Sequence, residues 1–212
     1  IPEYTGGFSV YLNKSADVKD SASALASLKA ALPEGLIALE PSKAEDKDSV
    51  TVTAETAAKY NLKSVGDLAP VASTLVLGGP PEWPSRANGV PGLKSVYGLT
   101  FASFKPLDVA GPLTVQALKN GTVQAANLFT TDPAIKANDF VSLEDTKSFF
   151  GAQNVIPVIT KSKATPEVSA ALNGVSAKLD TDMRQVGGIM QADWLKAAGP
   201  DGAAIIEAYK KK

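Results

Sequence analysis

An acid, a flat aromatic and a guanidinium lie within five residues of one another, at Glu82, Trp83 and Arg86. They follow an apolar run at 73–77 and a Gly-Gly-Pro-Pro turn. Turn residues this dense hold side chains at the mouth of a strand rather than build a core. A guanidinium can bind a carboxylate through two parallel hydrogen bonds, and an aromatic face attracts a cation. The segment 78–98 therefore predicts a binding site for a small ligand that carries both a cation and a carboxylate.

The chain contains no cysteine and no histidine, which limits the chemistry that it can perform. Disulfides, thiolate metal sites, and Ser-His-Asp or Cys-His catalysis are excluded. Paired carboxylates or a Ser-Lys pair stay open, with Glu82, Asp132 or Asp145 as candidate acids and bases. These positions do not show the paired spacing that such chemistry needs, and Asp132 before Pro133 is typical of a helix cap. An enzyme is the disfavoured alternative, and no cofactor is expected.

Length and charge narrow the class of protein further. The chain has 212 residues, 44% of them hydrophobic, which suits one large domain or two small ones. Its net charge of −1 gives no electrostatic footprint for nucleic acid. No apolar stretch approaches the roughly 18 residues that span a bilayer. The first residues lack the charged and apolar regions of a signal peptide, and we expect one to have been removed.

Helical and strand patterns alternate along the chain and are separated by Gly, Pro and Asn turns, which favours an α/β fold class. Predicted strands lie at 36–39, 50–53, 73–77, 123–129, 140–143 and 154–160, and predicted helices lie at 17–32, 55–60, 113–119, from 165 onwards, 181–197 and 202–211.

The middle of the chain carries its own set of strands and short helices, while the flanks carry longer helices and few strands. This layout predicts one domain, 48–156, inserted into an outer domain formed by 1–47 and 157–212. Pro157 marks its strand either as an edge strand or as the place where the chain crosses between domains. The outer domain is short of strands, so we expect upstream sequence to be missing from this chain.

Short segments across nearly the whole chain match one family pattern in order. They are PEYTG at 2–6, Glu82-Trp83-x-x-Arg86, GVPGL at 89–93, YGLxF at 97–101, QALxNG at 116–121, FTTD at 129–132, LED at 143–145, FF at 149–150 and PV at 157–158. With these segments the chain resembles the substrate-binding proteins of osmoprotectant ABC importers.

The resemblance implies a type II periplasmic-binding-protein fold, in which two α/β lobes close on a ligand like a clam. It implies an extracytoplasmic, monomeric protein, secreted or lipid-anchored, that delivers glycine betaine, choline or a related quaternary ammonium solute to an ABC permease. The alternative is a ligand-sensing or protein-interaction domain of the same fold, with a degenerate site and a more polar ligand.

The resemblance also implies roles for individual residues. Arg86 matches the arginine that binds the ligand carboxylate, although a surface ion pair with Glu82 is the alternative. Trp83 lies beside it, either in the site or as an anchor of the lobe core. Tyr4 matches a tyrosine of the aromatic cage, and Phe129 occupies a second cage position where a buried core side chain is equally expected.

Two positions depart from the family pattern. Asp48 and Gln153 stand where the family has cage tyrosines, which reduces the cage to Tyr4 and Phe129, with Trp83 assisting. Losing two rings forfeits about 1–4 kcal/mol of attraction for an ammonium, or roughly one to three decades of affinity. Asp48 offers direct charge attraction instead, and Gln153 offers hydrogen bonds. These departures favour a polar or larger ligand over plain glycine betaine.

Overall fold

The computed structural model describes residues 1–179, so the helices predicted at 181–197 and 202–211 lie outside the described residues. Within residues 1–179, none of the helices has the length and apolar character needed to cross a membrane. The elements are β1 (Pro2–Tyr4), α1 (Thr5–Leu12), α2 (Ser21–Ala31), β2 (Leu36–Ala38), β3 (Asp48–Thr53), α3 (Ala54–Tyr60), β4 (Val76–Gly79), α4 (Val90–Tyr97), β5 (Ser103–Pro106), α5 (Pro112–Lys119), β6 (Ala125–Phe129), α6 (Pro133–Ala137), β7 (Phe140–Ser142), β8 (Val155–Thr160) and α7 (Pro166–Lys178), with 3₁₀ turns at Val65–Leu68, Ala72–Thr74 and Lys161–Lys163.

A three-stranded antiparallel sheet has the order β1-β8-β2, so the proline-containing strand β8 lies at its centre. The prediction of an edge strand at Pro157 is therefore wrong. Pro157 faces Pro2 next to a hydrogen-bonded pair, in which Val158 and Ile1 exchange bonds of 2.9 Å. Residue pairs along an antiparallel ladder alternate between hydrogen-bonded and non-hydrogen-bonded pairs, so Pro2 and Pro157 form a pair without hydrogen bonds. Neither proline therefore needs an N–H group that points towards the other strand. On the other side the Pro157 carbonyl accepts a hydrogen bond of 2.9 Å from Leu39 N–H.

A five-stranded mixed sheet has the order β5-β4-β6-β3-β7. Strand β4 runs parallel to β5 and β6, whereas β3 runs antiparallel to both β6 and β7. The carboxyl ends of β4, β5 and β6 and the start of β3 consequently lie at one edge of the sheet. We call this edge the cleft edge, because it positions the predicted site residues.

Side-chain alternation along β3 and β6 divides the core of this sheet into two layers. Val50 and Val52 are fully buried in a layer that also contains Trp83 and Leu93. Leu128 belongs to the opposite layer, which packs beneath α5. A smaller cluster of Leu28, Ile156 and Val158 holds the helices to the three-stranded sheet.

Two antiparallel chain segments connect the sheets. Ser42 N–H donates to the Val155 carbonyl at 2.8 Å, and Val155 N–H donates to the Ala44 carbonyl at 3.1 Å. A bridge pairs Glu45 with Asn154 just beyond them. We call these paired segments the crossover. The first carries the chain from the three-stranded sheet to the five-stranded sheet, and the second carries it back.

The five-stranded sheet lies inside the predicted inserted domain 48–156, while β8 begins at Val155, two residues before the predicted return to the outer domain at 157. The bounds 1–47 with 157–212 and 48–156 stay a prediction.

Candidate functional site

Asp48 and Phe129 lie opposite each other at the cleft edge, as Cα partners that begin β3 and end β6. Partners in an antiparallel pair project to the same face of the sheet, so the carboxylate and the ring are neighbours. Asp48 is half-buried, and its Oδ1 accepts a hydrogen bond of 2.9 Å from Asn127 Nδ2. Burial raises the pKa of Asp48, against the opposing effects of this hydrogen bond and of the Arg86 charge. The charge of Asp46 raises it further.

Arg86 lies in the loop that leaves β4 at the cleft edge. Its Nη2 forms an ion pair of 2.9 Å with Glu82 Oε1, and the two side chains are 51% and 39% exposed. Exposed pairs of this kind contribute about 0–1 kcal/mol, so a ligand carboxylate can compete with Glu82 for the guanidinium. The alternative expected for Arg86, a surface ion pair, is present in this structure. Arg86 also lies near enough to Asp48 for its charge to lower the pKa of that carboxyl.

The structure places Trp83 in the core of the five-stranded sheet instead of in the cleft. Its side chain is 0% exposed and stacks on Phe150 at 6.3 Å between ring centroids. Of the two roles expected for Trp83, the geometry favours the anchor of the lobe core. The buried indole anchors one end of the Arg86 loop, and the Trp83 backbone carbonyl accepts a hydrogen bond of 3.0 Å from Val90 N–H at its other end.

Tyr4 and Gln153 lie beside the three-stranded sheet, at the start of α1. Tyr4 ends β1, directly precedes α1 and is 40% exposed. Gln153 Oε1 accepts a hydrogen bond of 2.9 Å from Gly7 N–H, in the first turn of α1. Both ends of the Gln153 side-chain amide thus already have partners in the protein, since its Nε2 donates to the Phe150 carbonyl at 3.3 Å.

Asp46 connects the two groups of residues, although the sequence did not single it out. Its Oδ2 accepts a hydrogen bond of 3.4 Å from the Tyr4 hydroxyl, and its Oδ1 accepts one of 2.7 Å from Thr131 Oγ1. Thr131 lies two residues beyond Phe129. Burial raises the pKa of Tyr4, and the charge and hydrogen bond of Asp46 raise it further. The structure therefore joins Tyr4 and the segment that follows Phe129 to a common acid in the crossover.

Helix α4 also begins at the cleft edge, directly after the Arg86 loop. Its N-terminus at Val90 has no side-chain cap. Val90 N–H donates to the Trp83 carbonyl at 3.0 Å and Pro91 has no N–H, so the helix dipole is the main source of positive charge at this end. The dipole of α4 therefore adds modestly to the positive charge of Arg86.

A cavity of about 280 Å³ adjoins the cleft edge between the start of β3 and the loop at 142–151. Of the predicted site residues only Asp48 lines it, together with Lys47 and Thr130. Among the described residues no group of three or more acidic, His or Cys side chains is arranged to hold a metal ion. Asp145, one of the acids considered for catalysis, accepts hydrogen bonds from the Tyr97 hydroxyl and Phe150 N–H and so stabilises its own loop.

Residues 1–193 match the family described as the substrate-binding domain of the ABC-type glycine betaine transport system. The chain belongs to this family. This match confirms the family resemblance predicted from the PEYTG and Glu82-Trp83-x-x-Arg86 segments.

Individual relatives agree with the family. The carnitine transport binding protein OpuCC of Listeria monocytogenes is 29% identical over 137 residues, which cover 63% of this chain and 44% of OpuCC. A glycine-betaine-binding protein of Pseudomonas aeruginosa is 27% identical over 190 residues, which cover 84% of this chain and 61% of that protein. The chain thus spans about half the length of the curated relatives that it matches.

The crystal structure of a glycine betaine/carnitine/choline ABC transporter protein superposes with a TM-score of 0.72 at 27% identity, covering 99% of this chain and 76% of that one. The prediction of an α/β, two-lobed, type II periplasmic-binding-protein fold is confirmed.

Proposed function

We propose that this protein is an extracytoplasmic solute-binding protein that delivers a quaternary ammonium osmoprotectant, such as glycine betaine, choline or a related solute, to an ABC permease. The observation that carries the proposal is the family match over residues 1–193, which includes every predicted site residue. Binding and release are its whole activity, with no chemical step. We further propose that it acts as a monomer, secreted or lipid-anchored.

The chemistry of the cleft edge supports a zwitterionic or cationic ligand. A quaternary ammonium has no N–H group, so aromatic faces and acids must hold it, and Tyr4, Phe129, Asp46 and Asp48 are such groups. A ligand carboxylate needs hydrogen-bond donors, and a guanidinium such as Arg86 provides two in parallel. In this proposal Gln153 supports the site without contacting the ligand, because its side-chain oxygen Oε1 holds the first turn of α1 next to Tyr4.

Delivery to a permease requires that ligand binding change the shape of the protein. Tyr4 ends a strand of one sheet, whereas Phe129 and the Arg86 loop belong to the other, and the crossover carries the chain between the two sheets. A ligand that contacts both groups stabilises the closed arrangement by its differential affinity for it. The permease then recognises the closed form.

Titration calorimetry on the full chain with glycine betaine, choline, carnitine and proline betaine tests this function. We expect saturable binding of at least one of them, and a ligand at about 100 times its Kd should stabilise the protein by roughly 2.7 kcal/mol in thermal unfolding. Arg86→Ala should weaken binding of carboxylated ligands, because it removes the guanidinium and leaves the Glu82 carboxylate without its partner. Lys94→Ala, which removes the same charge from an exposed position in the last turn of α4, should not change it. Absence of binding across the panel, or an Arg86→Ala affinity equal to that of the wild type, would contradict the proposal.

A further inference from the structure

Asp46 occupies an unusual position, because one carboxylate accepts hydrogen bonds from both sides of the cleft. The Tyr4 hydroxyl reaches Oδ2 at 3.4 Å from the end of β1, and Thr131 Oγ1 reaches Oδ1 at 2.7 Å from the segment after β6. The backbone of Asp46 is held by the crossover, since its N–H donates to the Gln153 carbonyl at 3.3 Å. Three elements therefore fix the position of this carboxylate.

A carboxylate that accepts a hydrogen bond from a phenol draws the proton away from the ring and leaves the ring richer in electrons. Cation–π attraction depends on the negative electrostatic potential of the ring face. Asp46 thus strengthens Tyr4 as a host for an ammonium group, and the negative charge of Asp46 itself attracts the same cation.

Two basic side chains near the crossover already have acidic partners. Lys47 Nζ lies 2.8 Å from Glu45 Oε2, and Arg86 Nη2 lies 2.9 Å from Glu82 Oε1. Within residues 1–179 neither Asp46 nor Asp48 takes part in an ion pair, and the same holds for Lys43 and Lys19. These two lysines are exposed, whereas Asp46 and Asp48 are half-buried, so the less solvated of these charges are negative and favour a ligand whose net charge is positive.

We propose that Asp46 is a specificity-determining residue, which orients and polarises Tyr4 and selects a net-cationic quaternary ammonium over a zwitterionic one. The negative charge of Asp46 then supplies part of the attraction for the ammonium group that is lost where Asp48 and Gln153 replace cage tyrosines. The inference rests on the proposed function and refines its ligand class.

The test compares wild type with Asp46→Asn in calorimetric titrations against choline, a cation, and glycine betaine, a zwitterion. Asparagine keeps one acceptor oxygen and replaces the other by an NH2 group that can donate to the second hydroxyl, so the substitution removes the charge and reverses one of the two hydrogen bonds. A charge about 6 Å from an ammonium, at an effective dielectric constant of about 40, corresponds to a roughly ten-fold loss of choline affinity. Glycine betaine should lose about three-fold or less, because its carboxylate offsets part of the attraction. Glu55→Gln, an exposed acid in the first turn of α3 at the far end of β3, is the matched control and should leave both affinities unchanged.

An independent readout needs no ligand. The pKa of the Tyr4 phenol, followed by nuclear magnetic resonance of its ring carbons and assigned with Tyr4→Phe, should fall in Asp46→Asn, because the charge of Asp46 raises it in the wild type. Equal losses for the two ligands, no loss for choline, or an unchanged Tyr4 pKa would overturn the role of Asp46 while leaving the proposed function intact. If the wild type binds no quaternary ammonium at all, the proposed function fails and this inference fails with it.

Discussion

Replacing Trp83 with alanine should destabilise the protein because the indole is fully buried and stacked on Phe150. An indole buries roughly 200 Å², worth about 5 kcal/mol at about 25 cal/mol per Å² of apolar surface. Neighbouring side chains partly fill the space left by the indole, which reduces the loss of stability, and substitutions of this kind typically lower the free energy of unfolding by about 3–5 kcal/mol. Collapse is limited on one side, since Gly79 lies next to the indole and has no side chain that could move into the space left by the substitution.

Urea unfolding followed by circular dichroism measures this loss. At a slope of about 2 kcal/mol/M, a loss of 4 kcal/mol lowers the unfolding midpoint by about 2 M. Trp83→Phe keeps a ring against Phe150 and should lose only about 1–2 kcal/mol. The matched control is Leu113→Ala, a large apolar side chain that is 65% exposed and whose loss should stay within about 0.5 kcal/mol.

The same variants separate the core role of Trp83 from a role in the site. Trp83→Phe should keep the affinity for quaternary ammonium ligands, because the ring anchors the loop and does not contact the ligand. An unchanged unfolding midpoint in Trp83→Ala together with a large loss of affinity in Trp83→Phe would refute this reasoning and return Trp83 to the aromatic cage.

Three further substitutions test the site and its scaffold. Burial raises the pKa of Asp48 in the folded state, so the free energy of unfolding of the wild type falls as pH rises through that pKa. Asp48→Asn cannot show this fall, so in unfolding experiments its gain in stability over wild type should grow from acid to neutral pH. A gain that does not change with pH would contradict the assignment. Gly92→Ala places a methyl group against the Ala87 carbonyl and the Phe149 ring and should cost about 1–3 kcal/mol in urea unfolding, with an unchanged midpoint counting against the contact. Asp108→Ala removes the carboxylate that accepts N–H hydrogen bonds in the first turn of α5. Thermal unfolding should show that the free energy of unfolding falls by about 0.5–2 kcal/mol. No fall would mean that water replaces the cap at no cost.

Local sequence signals predicted those elements whose stability is decided locally. The alternating β-branched residues at 50–53 predict β3, which extends from Asp48 to Thr53. Asp132 was predicted as a helix cap, and a helix was predicted from Thr165 onwards. Each of these residues accepts a hydrogen bond from a backbone N–H of the first turn, at 2.8 and 3.3 Å. Such caps act within three residues, so no distant part of the chain is needed to recognise them.

Elements that depend on distant partners were not predicted. Helix α1 begins with Thr5 and two glycines, which is a poor helical sequence. It is held by Asn154 and Gln153, about 150 residues away, through hydrogen bonds to Thr5 N–H and Gly7 N–H. Helix α4 is a different omission, because its proline in the first turn and its Gly98 cap were visible within a segment interpreted only as turns.

The same distinction applies to the site. Tyr4, Arg86 and Phe129 were predicted as site residues because short motifs mark them in the sequence, and this assignment stays a prediction. Asp46 was overlooked within the polar run at 44–49, since nothing local distinguishes it from its acidic neighbours. Its role emerges only when the crossover places it between Tyr4 and Thr131.

The pairing of Arg86 with Glu82 has a consequence for ligand selection. A ligand carboxylate that binds Arg86 must displace Glu82, so one carboxylate replaces another on the same guanidinium. The net gain from that exchange is small, because the exposed pair and its replacement differ mainly in desolvation. Discrimination among ligands must then come from the cationic half, where Tyr4, Phe129 and the unpaired acids lie. A cleft of this kind gains little from a ligand carboxylate, so a zwitterionic ligand has little advantage in it over a net-cationic one.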